Sequence, residues 1–438
     1  HRQLAVPVRG GGKFRIAALA GWGWRPSSRL PHNAGLAARN QRGILVDRIR
    51  TPITLLSALV LVAGVAAANP GTVPAAAKSG GAGVLFDTQT RVLDPRTLTD
   101  MEQLIDAIAD RRLVFVGESH DRYEDHLNQL AIIEGLHRRG KDLAIGMEFF
   151  QQPFQGALDA FVAGEIDEPE LLRRTEYFDR WRYDYRLYRP ILRFAQGHRI
   201  PVIALNLESE LTEKVGQGGI ESLTAAEQAR LPSGIDRDDP AYRERVKRVF
   251  DMHPNRADRA FEHFLEVQLL WDEGMAERGA AYLQEHPEKT LVVLAGSGHL
   301  EYGQGIPKRV LRRIQVPSVS LLNGSAHETH PEVADYLLYP RPVELPATGL
   351  LGVMLGKQID ASGARVDGFA AGSGAKAAGL KEGDQIVRIG DQSVNRYADI
   401  RIALIDSLPG QRLPVEVRRK HVLGTDELLT FDVELQAH

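Results

Sequence analysis

The stretch LVFVGESH, Leu113 to His120, decides how the rest of the chain is read. Leu113, Val114, Phe115 and Val116 form an unbroken apolar run, which suits a strand covered on both faces rather than one half in water. The run ends abruptly in Gly117, Glu118, Ser119 and His120. Three further stretches repeat this pattern: DLAIGMEFF (Asp142–Phe150), IPVIALNL (Ile200–Leu207) and LVVLAG (Leu291–Gly296), with SVSLL (Ser318–Leu322) as a fifth. Helical patterns separate them. Thr99 to Glu102 has the form of a capping box before Leu104, Ile105 and Ile108. Tyr123 to Arg139 carries Leu127, Leu130, Ile133 and Leu136 and stops at Gly140. A helix-rich insertion spans Gln155 to Gly197, and a long helix runs from about Arg256 to Glu285. Buried strands alternating with helices predict an α/β sheet with helices on both faces.

Such sheets bind ligands beyond the carboxyl ends of their strands. Here those ends hold Glu118 and His120, Glu148, Asn206, and His299. Gly117–His120 and Gly296–His299 are both GxxH turns, in which glycine permits close backbone approach. Two histidines and two glutamates suit a divalent transition metal or acid–base chemistry; equally, the histidines could brace their loops. The segment Tyr177 to Pro190 is crowded with Tyr and Arg, including Tyr188 and Arg189. Phenolate can ligate ferric haem and guanidinium suits propionates, while aromatic packing explains the same residues without a ligand. Gln268, Asp272 and Met275 share a helix face. His137, His198, His253 and His263 lack such context and read as surface or capping residues.

The motifs VGESH (Val116–His120), GMEFF (Gly146–Phe150), YRPIL (Tyr188–Leu192), ALNL (Ala204–Leu207), QLLWDEGMA (Gln268–Ala276) and LAGSGHLEYGQGIPKR (Leu294–Arg309) together resemble the ChaN-like haem-binding uptake family, within the TIKI/TraB/erythromycin-esterase-like superfamily. The likeness covers about Phe86 to Pro340. It implies an EreA/ChaN-like sheet and an exported protein that binds haem or handles iron. Tyr188, Tyr302, His120, His299, Arg189 and Asn206 are the cofactor-binding expectations. The superfamily also holds metal-dependent proteases with paired GxxH motifs and a Glu. On that alternative His120, Glu148 and His299 would hold a metal, and Glu118 would join them in a catalytic set.

PRPVELP (Pro340–Pro346) reads as a stiff linker. Beyond it, residues 348–436 resemble a PDZ domain of HtrA-like type, a β-sandwich or barrel with helices. Gly349 to Val353 has the form of a carboxylate-binding loop, and Ala375 to Asp384 followed by Ile386 to Ile389 carries the strongest likeness. The helix from about Tyr397 to Leu408 would wall the groove. Leu350, Leu351, Gly352 and Val353 are the peptide-binding expectations, the partner being a peptide or protein C-terminus. Such a domain could instead brace or dimerise the first one.

At 438 residues, two or three domains are expected. A net charge of -3 gives no sign of nucleic-acid binding. The sequence has no Cys, which excludes disulfides, thiolate metal sites, CxxCH haem attachment and a lipobox anchor. Residues 1–45 read as an untranslated or disordered extension. Residues 46–68 read as a signal peptide, with Arg48 and Arg50 before an apolar run from Ile53 to Ala66 and small residues to Ala68; Val46 is a candidate start. Residues 69–83 form a flexible leader and residues 84–340 the ChaN-like domain, with a linker at 341–347. The leading reading is a periplasmic or secreted haem-binding protein rather than an enzyme; the alternative is a metal-dependent hydrolase or peptidase. Export predicts a mature chain that begins near Asn69. Mass spectrometry of protein recovered from an exporting host checks this, and residues before Arg50 on that protein would exclude cleavage.

Overall fold

The structure is a computed structural model that describes residues 99–252, 260–325, 330–360, 362–421 and 425–437. The extension, signal-like segment and leader lie outside the described residues, as does His253. Among the described residues no helix is long and apolar enough to cross a membrane.

The unbroken apolar runs do form strands. In chain order the first domain contains α1 (Met101–Ile108), β1 (Leu113–Glu118), α2 (Tyr123–Arg138), β2 (Leu143–Gln151), α3 (Gln155–Ala163), α4 (Glu168–Arg174), α5 (Tyr177–Arg180), α6 (Arg189–His198), β3 (Val202–Asn206), α7 (Ser209–Gly218), α8 (Ala225–Gln228), α9 (Pro240–Met252), α10 (Phe261–Glu285), β4 (Thr290–Gly296), α11 (Ile306–Arg313), β5 (Ser318–Asn323) and β6 (Tyr336–Leu338). The strands pair in parallel in the order β3-β2-β4-β1-β5-β6. Side chains of β1 alternate between two cores: Val114 and Val116 pack with α1, α2 and the helical insertion, while Leu113 and Phe115 pack with α10 and α11. This is the two-faced burial that an unpatterned apolar strand implies. Two local expectations shift. The helix cap before α1 is Asp100, whose carboxylate accepts from Gln103 N at 2.9 Å, not Thr99. The short β6, which the strand reading of the sequence does not include, extends the sheet.

The order matters for function because β2, β4 and β1 lie side by side. Glu118 at the end of β1 is level with Gly296 at the end of β4. Met147 pairs with Leu294, so Glu148 emerges on the same edge.

The C-terminal domain contains β7 (Val353–Asp360), β8 (Gly363–Phe369), α12 (Gly374–Ala378), β9 (Gln385–Ile389), β10 (Gln392–Ser393), α13 (Tyr397–Leu404), β11 (Arg412–Arg419) and β12 (Glu427–Glu434). Its antiparallel sheet runs β12-β11-β9-β8-β7, with β10 on β9, so β7 is an edge. The molecule is thus mixed α/β with helices flanking a sheet, plus a PDZ-type β/α module.

The two parts share α13. Ile400 and Leu404 fill the C-terminal core, while Ala398 and Ile402 join the core of the first domain. Around this contact Arg173 pairs with Asp399 at 3.2 Å, Arg189 with Asp406, and Arg186 donates to the Pro346 carbonyl at 2.7 Å. Partly exposed ion pairs contribute little, so the apolar contact holds the two parts together more strongly than the charges do. Truncating Ile402 to Ala is expected to cost roughly 2–5 kcal/mol, read as a lowered urea midpoint. A change of under about 0.5 kcal/mol, typical of surface positions, would show that the contact is not a core one.

Candidate functional site

At the carboxyl edge of the sheet the chain buries an unusual number of ionisable groups. Glu118, His120, Glu148, Asp272 and His299 are all at most 5% exposed. Charges are taken out of water only when paired, and each imidazole here has a carboxylate. His120 Nδ1 is hydrogen-bonded to Glu118 Oε1. His299 Nδ1 donates to Asp272 Oδ1 at 2.6 Å, and its Nε2 lies 3.5 Å from Glu148 Oε1. The other oxygen of Glu148 accepts from Gly296 N at 2.7 Å.

These contacts set the proton affinities. Burial alone would lower His299, but Asp272 and Glu148 on its two nitrogens push it up to about 10. Burial would raise Glu148, but the two imidazoles and the Gly296 amide hold it down to about 2. His120 is raised above its ordinary value, because Glu118, with Glu148 beyond, outweighs burial. At neutral pH His299 is therefore an imidazolium between two carboxylates.

The backbone permits this crowding. A Cβ on Gly296 would stand 2.9 Å from His120 Cε1 and 3.2 Å from its Nε2. A Cβ on Gly305 would collide with the His299 carbonyl. Supporting groups hold the carboxylates and turns. Tyr242 OH donates to Asp272 Oδ2 at 2.6 Å. Asp125 accepts from Ser119 N at 2.9 Å and from Asn323, tying the His120 turn to the end of β5. His126 lies 3.3 Å from the His120 carbonyl.

Of the residues expected from sequence, the fold gathers Glu118, His120, Glu148 and His299 into one cluster. Asn206 adjoins it, donating to the Glu148 carbonyl at 3.3 Å. Tyr188 lies beneath, at 1% exposure; its hydroxyl donates to the His120 carbonyl at 3.3 Å and accepts from Trp181 Nε1 at 3.0 Å. Burial pushes its pKa well above the usual phenol value. Tyr302 stands apart, half-exposed beside His330, in a cleft with Pro307 and Ser320. Arg189 is engaged by Glu168 and Asp406 at the domain contact. The face shared by Gln268, Asp272 and Met275 is only partly directed at the cluster: Asp272 binds His299 and Gln268 lines the adjoining cavity, while Met275 packs in the core.

Sequence reasoning missed Tyr242, Arg245, His126, Trp181 and Tyr183. The Trp181 and Tyr183 rings lie 4.8 Å and 5.0 Å from the His120 ring, and Tyr183 is only half-buried. Tyr242 and Arg245, i and i+3 on α9, share one face of a helix rich in charged residues, and the charge pattern alone does not mark that face as the inward one.

A cavity of about 30 Å³ lies between His120, His299, Tyr242, Arg245 and Gln268. It can hold a water but not a porphyrin. Three buried atoms around the cluster, Glu118 Oε2, Gln268 Nε2 and Ser297 Oγ, make no hydrogen bond, and Glu118 Oε2 lies 3.8 Å from His126 Nε2; buried orphans of this kind suit a ligand or water position. The donor chemistry suits iron, since a metal-binding imidazole ordinarily has its second nitrogen on a carboxylate. No group of three or more His, Cys, Asp or Glu among the described residues is arranged as a metal cage.

Comparison with known proteins agrees with this architecture. Residues 104–310 match the family described as haem-binding uptake, Tiki superfamily, ChaN. Residues 343–418 match the PDZ domain family. A ChaN-like haem-uptake domain and a PDZ domain are therefore both present. Among solved structures the chain is similar to one described as cofacial heme binding to ChaN of Campylobacter jejuni, at 19% identity, covering 56% of this chain and 92% of that one, with a TM-score of 0.45. It is also similar to a mutant erythromycin esterase, EreC, in its open conformation (14% identity, 50% and 72% covered, TM-score 0.31). Its C-terminal part is similar to the HtrA3 PDZ domain bound to a phage-derived ligand (20% identity, 20% and 86% covered, TM-score 0.17). These likenesses concern the fold alone. No curated protein matches the chain.

The His299–Glu148 contact makes a pH-dependent contribution to stability. His299 is raised from 6.5 to about 10, so its share is complete below about 6.5 and is lost as pH rises through 10. Glu148 is lowered from 4.5 to about 2, so its share is complete above about 4.5 and is lost as pH falls through 2. The melting-temperature difference between wild type and Glu148→Gln should therefore be largest near pH 5–6 and shrink toward pH 10. A difference that stays constant over that range would overturn the ion-pair assignment.

Proposed function

We propose that this chain is an exported haem-handling protein, with a PDZ domain that captures a peptide C-terminus. The observation that carries the haem reading is the ChaN family match, which spans every element of the buried cluster. The chain's own residues supply what such a site needs. Glu118 fixes the His120 ring through Nδ1 and leaves Nε2 facing Gly296 and Glu148. Trp181 and Tyr183 form an aromatic wall beside it, suited to a flat ligand. Tyr183 is a half-buried phenol beside the His120 ring, although burial and the Asp121, Glu118 and Glu148 carboxylates raise it to about 12. Ligation by that phenol or by either imidazole displaces a proton, so metal affinity rises with pH. When bound, haem supplies a ferric centre that takes phenolate or imidazole.

The same edge supports a second reading, acid–base hydrolysis. Two carboxylate-clamped imidazoles and Glu148 surround a space for one water. Against it, a Glu148 held at about 2 is a weak base and His299 at about 10 is charged. Both features count against these groups acting alone as a general base.

Haemin titration of the purified protein, followed by absorbance, separates the readings. A saturable Soret shift is expected, weakened at least tenfold by His120→Ala, with Tyr183→Phe, Tyr188→Phe and Tyr302→Phe identifying any phenolate. No saturable shift, together with metal-dependent ester or peptide cleavage that Glu148→Gln abolishes, would replace the haem reading with the hydrolytic one.

A further inference from the structure

The PDZ groove of this protein does not stand free. In the fold it lies between the edge strand β7 and helix α13, and the first domain closes its far side. Leu355, Gly356 and Ile359 of β7 face Tyr397 and Arg401 of α13 across a cleft of about 560 Å³. Phe178, Asp179 and Arg182 of the first domain line the same cleft. Phe178 is anchored in the first domain's core, and the Arg401 guanidinium lies 5.2 Å from the centre of its ring. Contacts of α13 with α4 and α5 hold this wall in place.

The carboxylate end is composite too. A cleft of about 910 Å³ joins Leu350, Leu404 and Ile405 to Phe178 and Arg186 of the first domain. Leu350, Leu404 and Ile405 belong to its apolar lining, and Asp121, Glu124, Asp184 and Glu344 stand there against Arg122, Arg186 and Arg401, so this end has no excess of positive charge. Gly352 adopts φ +72, and a Cβ there would meet Ser373 Cα at 2.9 Å, so the loop can turn only on glycine.

The charges along the upstream half are lopsided. Arg182, Arg396 and Arg401 line it against one carboxylate, Asp179. Arg182 and Arg396 are solvent-exposed, and both lie within electrostatic reach of Asp179. Since β7 offers an unpaired edge, an extended peptide adding to it would run past these guanidiniums.

We infer that the two domains together form one binding groove for a protein C-terminus that ends in an apolar residue preceded by acidic residues, with Phe178 and Arg182 of the first domain as its second wall. This rests on the peptide-binding reading of the PDZ domain and adds to it a partner class and a second contributor. Electrostatic selection of this kind is set by partly exposed charges and fades with salt.

The test uses the full chain and fluorescence anisotropy with three labelled decapeptides. One ends in Glu-Asp-Glu-Val with a free carboxyl, one in Lys-Lys-Lys-Val, and one is the acidic peptide with its C-terminus amidated. The acidic acid-form peptide should bind at least tenfold more tightly than the lysine peptide in about 50 mM salt, and less than threefold more tightly in about 500 mM. Amidation should weaken it at least tenfold. Arg182→Glu should cut the preference for the acidic peptide at least fivefold, with Arg396→Gln as a second variant; unchanged circular dichroism confirms that each is folded. Equal binding of acidic and lysine peptides, or a preference untouched by both variants, overturns the composite groove and leaves peptide binding standing. Failure of all three peptides to bind, or no effect of amidation, overturns the peptide reading and this inference with it.

Discussion

Burying Glu118, Glu148 and Asp272 at one sheet edge is the constraint on which the structure turns. Three carboxylates in a low-dielectric interior need positive charge or hydrogen-bond donors within a few ångströms. His120 and His299 provide them, and the Gly296 amide and Tyr242 hydroxyl complete the set. This requirement explains features that packing alone would not. Gly296 and Gly305 must be glycine because the imidazole and its turn approach the backbone. Helix α10 carries Asp272 among its buried residues, at the position that meets His299. Removing one partner from such a group costs more than the pair contributes as a whole, because the remaining charge stays buried.

Much of this was legible in the chain. Strands with no polar alternation announced a doubly covered sheet, and their abrupt polar ends announced its functional edge. Glu118, His120, Glu148 and His299 were found that way because strand ends converge by topology. The Tyr-rich segment was harder. Sequence showed many phenols but could not say which of them the turns after α5 leave inside, and so singled out Tyr188, which is fully buried, rather than Tyr183, which stands half-buried beside His120. Tyr242 and Arg245 belong to α9, a strongly charged helix. Nothing local distinguishes a polar residue that turns inward there from one that faces water. Only tertiary packing decides it.

The contact between the domains shows the same limit. A Pro-rich stretch suggested a spacer, and nothing in it foretold that α13 would lend Ala398 and Ile402 to a neighbouring core. The Arg residues of the Tyr-rich segment, read as propionate partners, are largely engaged by other groups: Arg180 with Glu176 and Glu210, Arg186 with Asp184 and Pro346, Arg189 with Glu168 and Asp406. Arg182 faces the PDZ groove instead.

Helix α5 is bracketed by two non-glycine residues in the left-handed region, Glu176 at φ 51 and Arg182 at φ 68. Each such residue stores on the order of 1 kcal/mol of backbone strain or more, held in place by the packing of Tyr177, Phe178 and Trp181. Arg199 at φ 53 and Tyr302 at φ 57 are strained in the same way elsewhere in the domain, but only this segment carries two such residues within seven positions. Engineers seeking a hardier protein would find these two positions early, since glycine or asparagine relieves such strain. The gain would come from slackening a stretch of chain that touches both the His120 ring and the peptide groove.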